Sequence, residues 1–139
     1  MSRVFYDTNV LVYAVDEGTA EKHHIAHDCL RRANQGDDGV LSTQVMQEFY
    51  VNVTRKLGVK PEPARFMTRD LTRFEVVTVS VPLIDAAMQL SADRQLSFWD
   101  ALIVSAALAA DCDTLLTEDL NTGERFDGLT LVNPFAQAS

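Results

Sequence analysis

Residues 3–13 read Arg3-Val4-Phe5-Tyr6-Asp7-Thr8-Asn9-Val10-Leu11-Val12-Tyr13, and this stretch decides the fold. An apolar run ends at an acid, a hydroxyl and an amide, and then turns apolar again. Val4-Phe5-Tyr6 predicts a short buried strand of a parallel sheet, where both faces are covered and polar alternation is lost. Asp7 would lie at the carboxyl end of that strand, where open α/β sheets place their ligand crevice. An alternative role for Asp7 is to cap the following helix, because Asp is a favoured N-cap.

Strands and helices alternate along the rest of the chain, which predicts a parallel sheet between two helical layers. We therefore expect a three-layer α/β/α fold with a central, mostly parallel five-stranded sheet. The predicted strands span residues 4–6, 40–42, 76–79, 114–117 and 129–132. The predicted helices span residues 8–15, 21–34, 43–57, 63–74, 82–94 and 101–110, the last of them nearly uniformly apolar and hence buried.

The bulk composition predicts one globular domain that spans residues 1–139. A hydrophobic content of 47% is typical of a folded protein. The longest apolar run, residues 101–110, is much shorter than the ~20 residues that a membrane span needs. No secretory signal is visible at the N-terminus. Cys29 and Cys112 lie far apart in predicted helices, which is typical of reduced core residues in a cytoplasmic protein.

The charge is acidic overall but unevenly distributed. A net charge of −8 argues against broad, non-specific duplex binding, which depends on many Lys and Arg contacts to phosphate. Residues 55–73, however, hold six basic residues against two acidic ones, a local charge of +4. Arg65, Arg69 and Arg73 follow at four-residue intervals and are expected to share one helix face. That face is either a solvated surface or a strip that contacts phosphates or a partner.

Three further acids stand where each has an ordinary explanation. Asp119 follows the fourth strand in a turn, Asp100 completes a capping box with Ser97, and Glu48 lies on the polar side of its helix. Parallel strands, however, bring Asp7 and Asp119 to the same edge of the sheet. Oxygen ligands without His or Cys suit Mg²⁺ or Mn²⁺, and a cation relieves the repulsion between gathered carboxylates. A metal site explains the four acids together.

At this point the sequence resembles a family, the PIN-domain nucleases, and within it the VapC-like toxins of bacterial type II toxin–antitoxin systems. The resemblance covers nearly the whole chain, and the order and spacing of four motifs match together. These motifs are Asp7-Thr8-Asn9, the segment from Ser42 to Phe49, the segment from Phe98 to Ile103, and the segment from Leu115 to Leu120.

The resemblance implies a metal-dependent endoribonuclease that hydrolyses RNA phosphodiester bonds. It implies that Asp7, Glu48, Asp100 and Asp119 bind Mg²⁺ or Mn²⁺ and carry the catalysis, and that Asn9 and Thr117 orient them. Glu118 competes for the role of fourth acid, although Asp119 has the better spacing from Thr117. The implied partners are the RNA substrate, a small antitoxin that covers the cleft, and a second copy of the chain in a homodimer.

The resemblance gives the basic stretch a role as well. Its cations would contact the flanking RNA phosphates or a partner protein, and the candidates are Arg55, Lys56, Arg65, Arg69 and Arg73.

Other side chains invite functions that the pattern does not favour. His23, His24 and His27 have no partner residues at metal-ligand spacing. They are therefore interpreted as residues of a solvent-exposed helix surface and not as metal ligands. Phe98 and Trp99 are interpreted as core residues rather than base-stacking groups.

Two other functions compete with the nuclease. One is a catalytically silent PIN-like domain used only for binding. The other is a Mg²⁺-dependent phosphoryl-accepting signalling domain, which also gathers acids at strand ends. Domains of that second class use a Lys late in the chain, whereas the last Lys here is Lys60.

Overall fold

A computed structural model describes residues 2–35 and 38–136. The strands are β1 (Arg3–Tyr6), β2 (Asp38–Ser42), β3 (Glu75–Val77), β4 (Thr114–Leu116), β5 (Arg125–Phe126) and β6 (Leu129–Val132). The helices are α1 (Thr8–Tyr13), α2 (Ala20–Asn34), α3 (Thr43–Arg55), α4 (Pro61–Asp70), α5 (Val81–Arg94) and α6 (Phe98–Ala109), and a 3-10 turn covers Leu71–Arg73. The helices flank a mostly parallel sheet in the predicted three-layer α/β/α arrangement.

The sheet has the strand order β3-β2-β1-β4-β6-β5, so β1 lies near its centre. Phe5 of β1 pairs with Val40 on one side and with Leu115 on the other, both in parallel register. All five predicted strands are present. The described residues add a sixth, the two-residue β5, which pairs antiparallel with β6 at the sheet edge. The sequence does not predict this strand, because its two residues include a single apolar side chain, Phe126.

The core lies on both faces of the sheet and along α6. Residues 101–107 of α6 are all buried, as the uniformly apolar sequence predicted. Cys29 and Cys112 are both buried, as predicted, but Cys112 lies after the end of α6 and not within a helix. In the described residues, no helix combines the length and the apolar character that crossing a bilayer requires.

Both ends of α4 differ from the prediction. Pro61 rather than Pro63 opens α4, because either proline suits a first turn that needs no N–H donor. The same helix ends at Asp70, and the chain tightens into the 3-10 turn before β3. Arg73 therefore does not continue the helix face of Arg65 and Arg69, and the prediction of one shared face was wrong for this residue.

Candidate active site

A cleft of about 570 Å³ opens where the chain leaves the carboxyl ends of β1 and β4. One wall is α3 and the other is α1 with the turn after β4. Four predicted acids from four separate segments line it together with Asn9: Asp7, Glu48, Asp100 and Asp119. The sixth predicted residue, Thr117, is fully buried and contacts Asp7 directly.

Asp7 lies at the base of this cleft and is only 7% exposed. Its Oδ1 accepts a hydrogen bond from the Thr8 amide (2.7 Å), and its Oδ2 accepts one from the Thr117 hydroxyl (2.8 Å). Burial is the main cause that raises the pKa of Asp7 to about 6, and the charges of Asp119 and Glu48 add to it, against the two hydrogen bonds. Asp7 therefore caps α1 and faces the cleft at once, so the two interpretations of this residue are compatible.

Glu48 of α3 is held beside Thr8, the first residue of α1. The Thr8 hydroxyl donates to Glu48 Oε1 (2.7 Å), and Gln44 Nε2 donates to Glu48 Oε2 (3.3 Å). The side chain is half-buried, because the polar side of α3 faces α1 rather than open solvent. Glu48 is therefore not simply a solvent-exposed residue on the polar side of its helix.

Asn9 and Thr117 connect the acids on the opposite wall. Asn9 Nδ2 donates to Asp119 Oδ2 (3.1 Å), and Asn9 Oδ1 accepts from the Glu118 amide (3.2 Å). Thr117 Oγ1 accepts from the Asp119 amide (3.2 Å) while it donates to Asp7. These contacts place both residues where the predicted orienting role requires them.

Glu118 and Asp119 have different surroundings. The Tyr13 hydroxyl donates to Glu118 Oε1 (2.9 Å), and the Lys22 ammonium donates to Glu118 Oε2 (2.5 Å). The Glu118 charge is therefore balanced by Lys22, whereas no cation pairs with Asp119 in the part of the chain that the structure describes. Sequence reasoning missed Lys22 and Tyr13, since no local pattern relates Lys22 to a residue 96 positions away.

Asp100 stands in the first turn of α6. Ser97 Oγ accepts from the Asp100 amide (3.1 Å), which forms half of the predicted capping box. Among the described residues, the Asp100 carboxylate makes no hydrogen bond back to the helix end. It is free to act within the cleft instead.

The chemical type of the candidate ligands fits a hard divalent cation. Every candidate ligand is a carboxylate oxygen. Burial is the main cause of the raised pKa of Asp7, and a cation would offset the charges of Asp119 and Glu48 that add to it. Gln44 Oε1, beside Glu48, is a buried acceptor without a donor in the described part of the chain. In these ranges no three acid, His or Cys side chains are grouped closely enough to hold a metal ion. The three histidines likewise form no metal site there; His23 and His27 pack edge to face, with ring centroids 4.5 Å apart.

Comparison with known proteins decides the family. The PIN domain profile matches residues 4–127. The chain belongs to the PIN-domain family. A search of curated proteins gives no match.

Several solved structures share the fold of this PIN domain. A toxin–antitoxin complex from Klebsiella pneumoniae superimposes with a TM-score of 0.70 at 19% identity, over 94% of this chain and 97% of that one. VapBC2 from Rickettsia felis, bound to a promoter DNA fragment, gives 0.67 at 22% identity, over 92% and 96%. VapC20 of Mycobacterium tuberculosis, a sarcin–ricin loop cleaving toxin, gives 0.64 at 21% identity, over 81% and 86%.

The basic residues of this PIN domain are dispersed rather than joined in one strip. Lys56 lines the acidic cleft, whereas Arg65 and Arg69 line a separate depression between α3 and α4. Arg73 pairs with Asp70 and borders a third depression. Arg55 is exposed at the end of α3. Of this group, Lys56 alone was placed at the cleft.

Trp99 is the clearest error of the sequence interpretation. It is 63% exposed and lines the cleft, so it is not a core residue. Phe98, half-buried, packs edge to face against it, with ring centroids 5.0 Å apart. The amphipathic period could not reveal this, because both residues precede the uniformly apolar part of α6.

Proposed function

We propose that this PIN domain is a Mg²⁺- or Mn²⁺-dependent endoribonuclease and the toxin of a toxin–antitoxin pair. The observation that carries the proposal is the convergence of Asp7, Glu48, Asp100 and Asp119 on one cleft from four distant segments. A fold without such chemistry gains nothing from this arrangement, because burial of a carboxylate beside two others raises its free energy.

The four acids would hold the cation. A divalent ion, when bound, lowers the pKa of a coordinated water, binds the phosphate and stabilises charge on the leaving oxygen. Thr8 fixes Glu48 on one side of the ion site, while Asn9 and Thr117 fix Asp119 on the other. These hydrogen bonds hold the carboxylates in place before substrate arrives, which is how outer-shell partners support metal ligands.

The substrate and partner assignments have separate support. The cleft is open to a polynucleotide, and Lys56 supplies a cation at its edge. Two of the similar structures are toxin–antitoxin complexes, and a third is a toxin that cleaves the sarcin–ricin loop. We accordingly assign RNA as the substrate and a small antitoxin as the partner. We also propose a homodimer as the assembly and the cytoplasm as the location.

The decisive experiment compares RNA cleavage by the wild-type protein and Asp7→Asn in saturating Mg²⁺ or Mn²⁺. We expect the variant to lose at least about 100-fold in activity, because loss of even an outer-shell partner costs 10- to 100-fold. Asp85→Asn is the matched control, since this exposed acid on α5 lies outside the cleft. Equal cleavage by wild type and Asp7→Asn would refute the site. If the wild type is inert on RNA yet still binds a co-expressed antitoxin, the protein is the silent binding domain instead.

A further inference from the structure

Trp99 is the single tryptophan of the chain, and it is 63% exposed. Five large apolar side chains are exposed among the described residues, and only Trp99 of these lines the acidic cleft. An indole that remains in water forgoes the large stabilisation that its burial would give. Because the exposed indole of Trp99 lies beside the acids, it can bind a ligand that has a flat apolar face.

The cleft has a direction, which α3 defines. Gln44, Glu48, Asn52 and Lys56 follow at four-residue intervals and all line it, a distance of about 18 Å along the helix axis. Gln44 Nε2 donates to the Trp99 carbonyl (3.2 Å), so Trp99 lies at the first end of this row. Lys56 lies at the other end, and Glu48 stands between them.

The two ends of the cleft differ in chemistry. The Lys56 ammonium makes no ion pair within the described ranges, and it is exposed. The same cleft also contains the apolar side chains of Val12, Leu57 and Ile103. An aromatic face at one end and an unpaired cation at the other match two parts of an RNA strand several nucleotides long, a base and a phosphate further along the strand.

We propose that Trp99 forms a nucleobase subsite for an RNA strand that lies along α3 between Trp99 and Lys56. One base stacks on the indole, the phosphodiester to be cut lies opposite Glu48, and a phosphate further along contacts Lys56. A duplex does not fit this arrangement, because its bases remain stacked on one another. This inference rests on the proposed ribonuclease function.

A basic segment of a protein partner is the competing occupant, since Lys and Arg also pack on an indole face. Without a bound cation, the carboxylates of the cleft would attract such a segment. With the proposed divalent cation bound, RNA is favoured, because a basic segment would meet both that cation and the unpaired charge of Lys56. The choice is settled by the binding experiment below.

The direct test uses the fluorescence of Trp99, which no other tryptophan obscures. Asp7→Asn protein, in which cleavage is expected to be lost, is titrated with a single-stranded oligoribonucleotide of about eight nucleotides. We expect saturable quenching of the emission. The same oligomer made abasic at successive positions should lose the quenching at one position and bind about 10-fold more weakly there. The oligomer annealed to its complement should not quench.

Kinetics give the second test in the otherwise wild-type protein. Trp99→Ala should raise KM for single-stranded RNA by about 5- to 100-fold with a smaller change in kcat, and Trp99→Phe should restore most of the affinity. Rescue by Phe separates stacking from a structural disturbance of the neighbouring Asp100. Met88→Ala is the matched control, since Met88 is 53% exposed on α5 and lies outside the cleft.

Each result has a distinct meaning. If RNA is cleaved but Trp99→Ala leaves KM unchanged, or if bound RNA leaves the emission unchanged, the nucleobase subsite is refuted and the ribonuclease function stands. If RNA leaves the emission unchanged while a co-expressed small protein shifts it, Trp99 is a partner contact and the proposal fails. If the wild type cleaves no RNA with Mg²⁺ or Mn²⁺, the proposed function itself fails.

Discussion

Asp7 couples stability to pH through a single carboxyl group. Its pKa is raised from 3.8 to about 6 in the folded protein, chiefly by burial. The folded state therefore binds more protons than the unfolded state between these two values, and the free energy of unfolding falls as pH rises through this interval. Without metal, Asp7→Asn should remove that penalty and raise the free energy of unfolding by about 1–3 kcal/mol at pH 7 to 8.

Urea unfolding from pH 3 to pH 8 in the presence of a chelator measures this effect. The advantage of Asp7→Asn should vanish below about pH 4, where Asp7 is protonated in both states. Asp85→Asn provides the control, because Asp85 is an exposed acid on α5 that lies outside the cleft. A constant difference between Asp7→Asn and wild type across the whole range would contradict the shift.

At the scale of elements, the start of α6 presents Asp100 to the cleft. Ser97 Oγ accepts from the Asp100 amide (3.1 Å), and Ser80 Oγ accepts from the Leu83 amide (3.3 Å) at the start of α5. Either Ser→Ala change should lower the free energy of unfolding by about 1 kcal/mol, because each removes one N-cap. Only Ser97→Ala should also weaken stabilisation by Mn²⁺, since only that cap holds a proposed ligand.

Chemical unfolding of both variants, with and without Mn²⁺, checks the capping prediction. Ser80→Ala serves as the control for loss of a cap remote from the cleft. Equal losses of Mn²⁺ stabilisation in the two variants would show that the α6 cap supports the fold alone and does not position Asp100.

At the scale of the whole molecule, local patterns predicted the layers and the strand ends well. Val4–Tyr6 and the apolar α6 specify their own burial, so the position of Asp7 at the sheet edge follows from the sequence. The exposure of Trp99 and the Lys22–Glu118 ion pair do not follow from it. Both depend on which elements the fold brings together, and no spacing along the chain encodes that.

The response to metal is also a property of the whole domain. A cation that binds the folded cluster and not the unfolded chain stabilises the entire domain by mass action. At ten times its dissociation constant, this amounts to about 1.4 kcal/mol, or a rise in Tm of roughly 4 °C for a chain of this size. Thermal unfolding with increasing Mg²⁺ or Mn²⁺, at ionic strength held constant with NaCl, measures the rise.

Variants of the acids then locate the binding. Asp7→Asn and Asp100→Asn should abolish the rise in Tm, because each removes a proposed ligand. Glu118→Gln should retain it, because Lys22 already balances the Glu118 charge away from the ion. If Glu118→Gln abolishes the metal response and Asp119→Asn preserves it, Glu118 is the fourth ligand. A Tm that stays flat for the wild type at millimolar metal would remove the metal from the proposed mechanism, since a bound ion cannot leave the folding equilibrium unchanged.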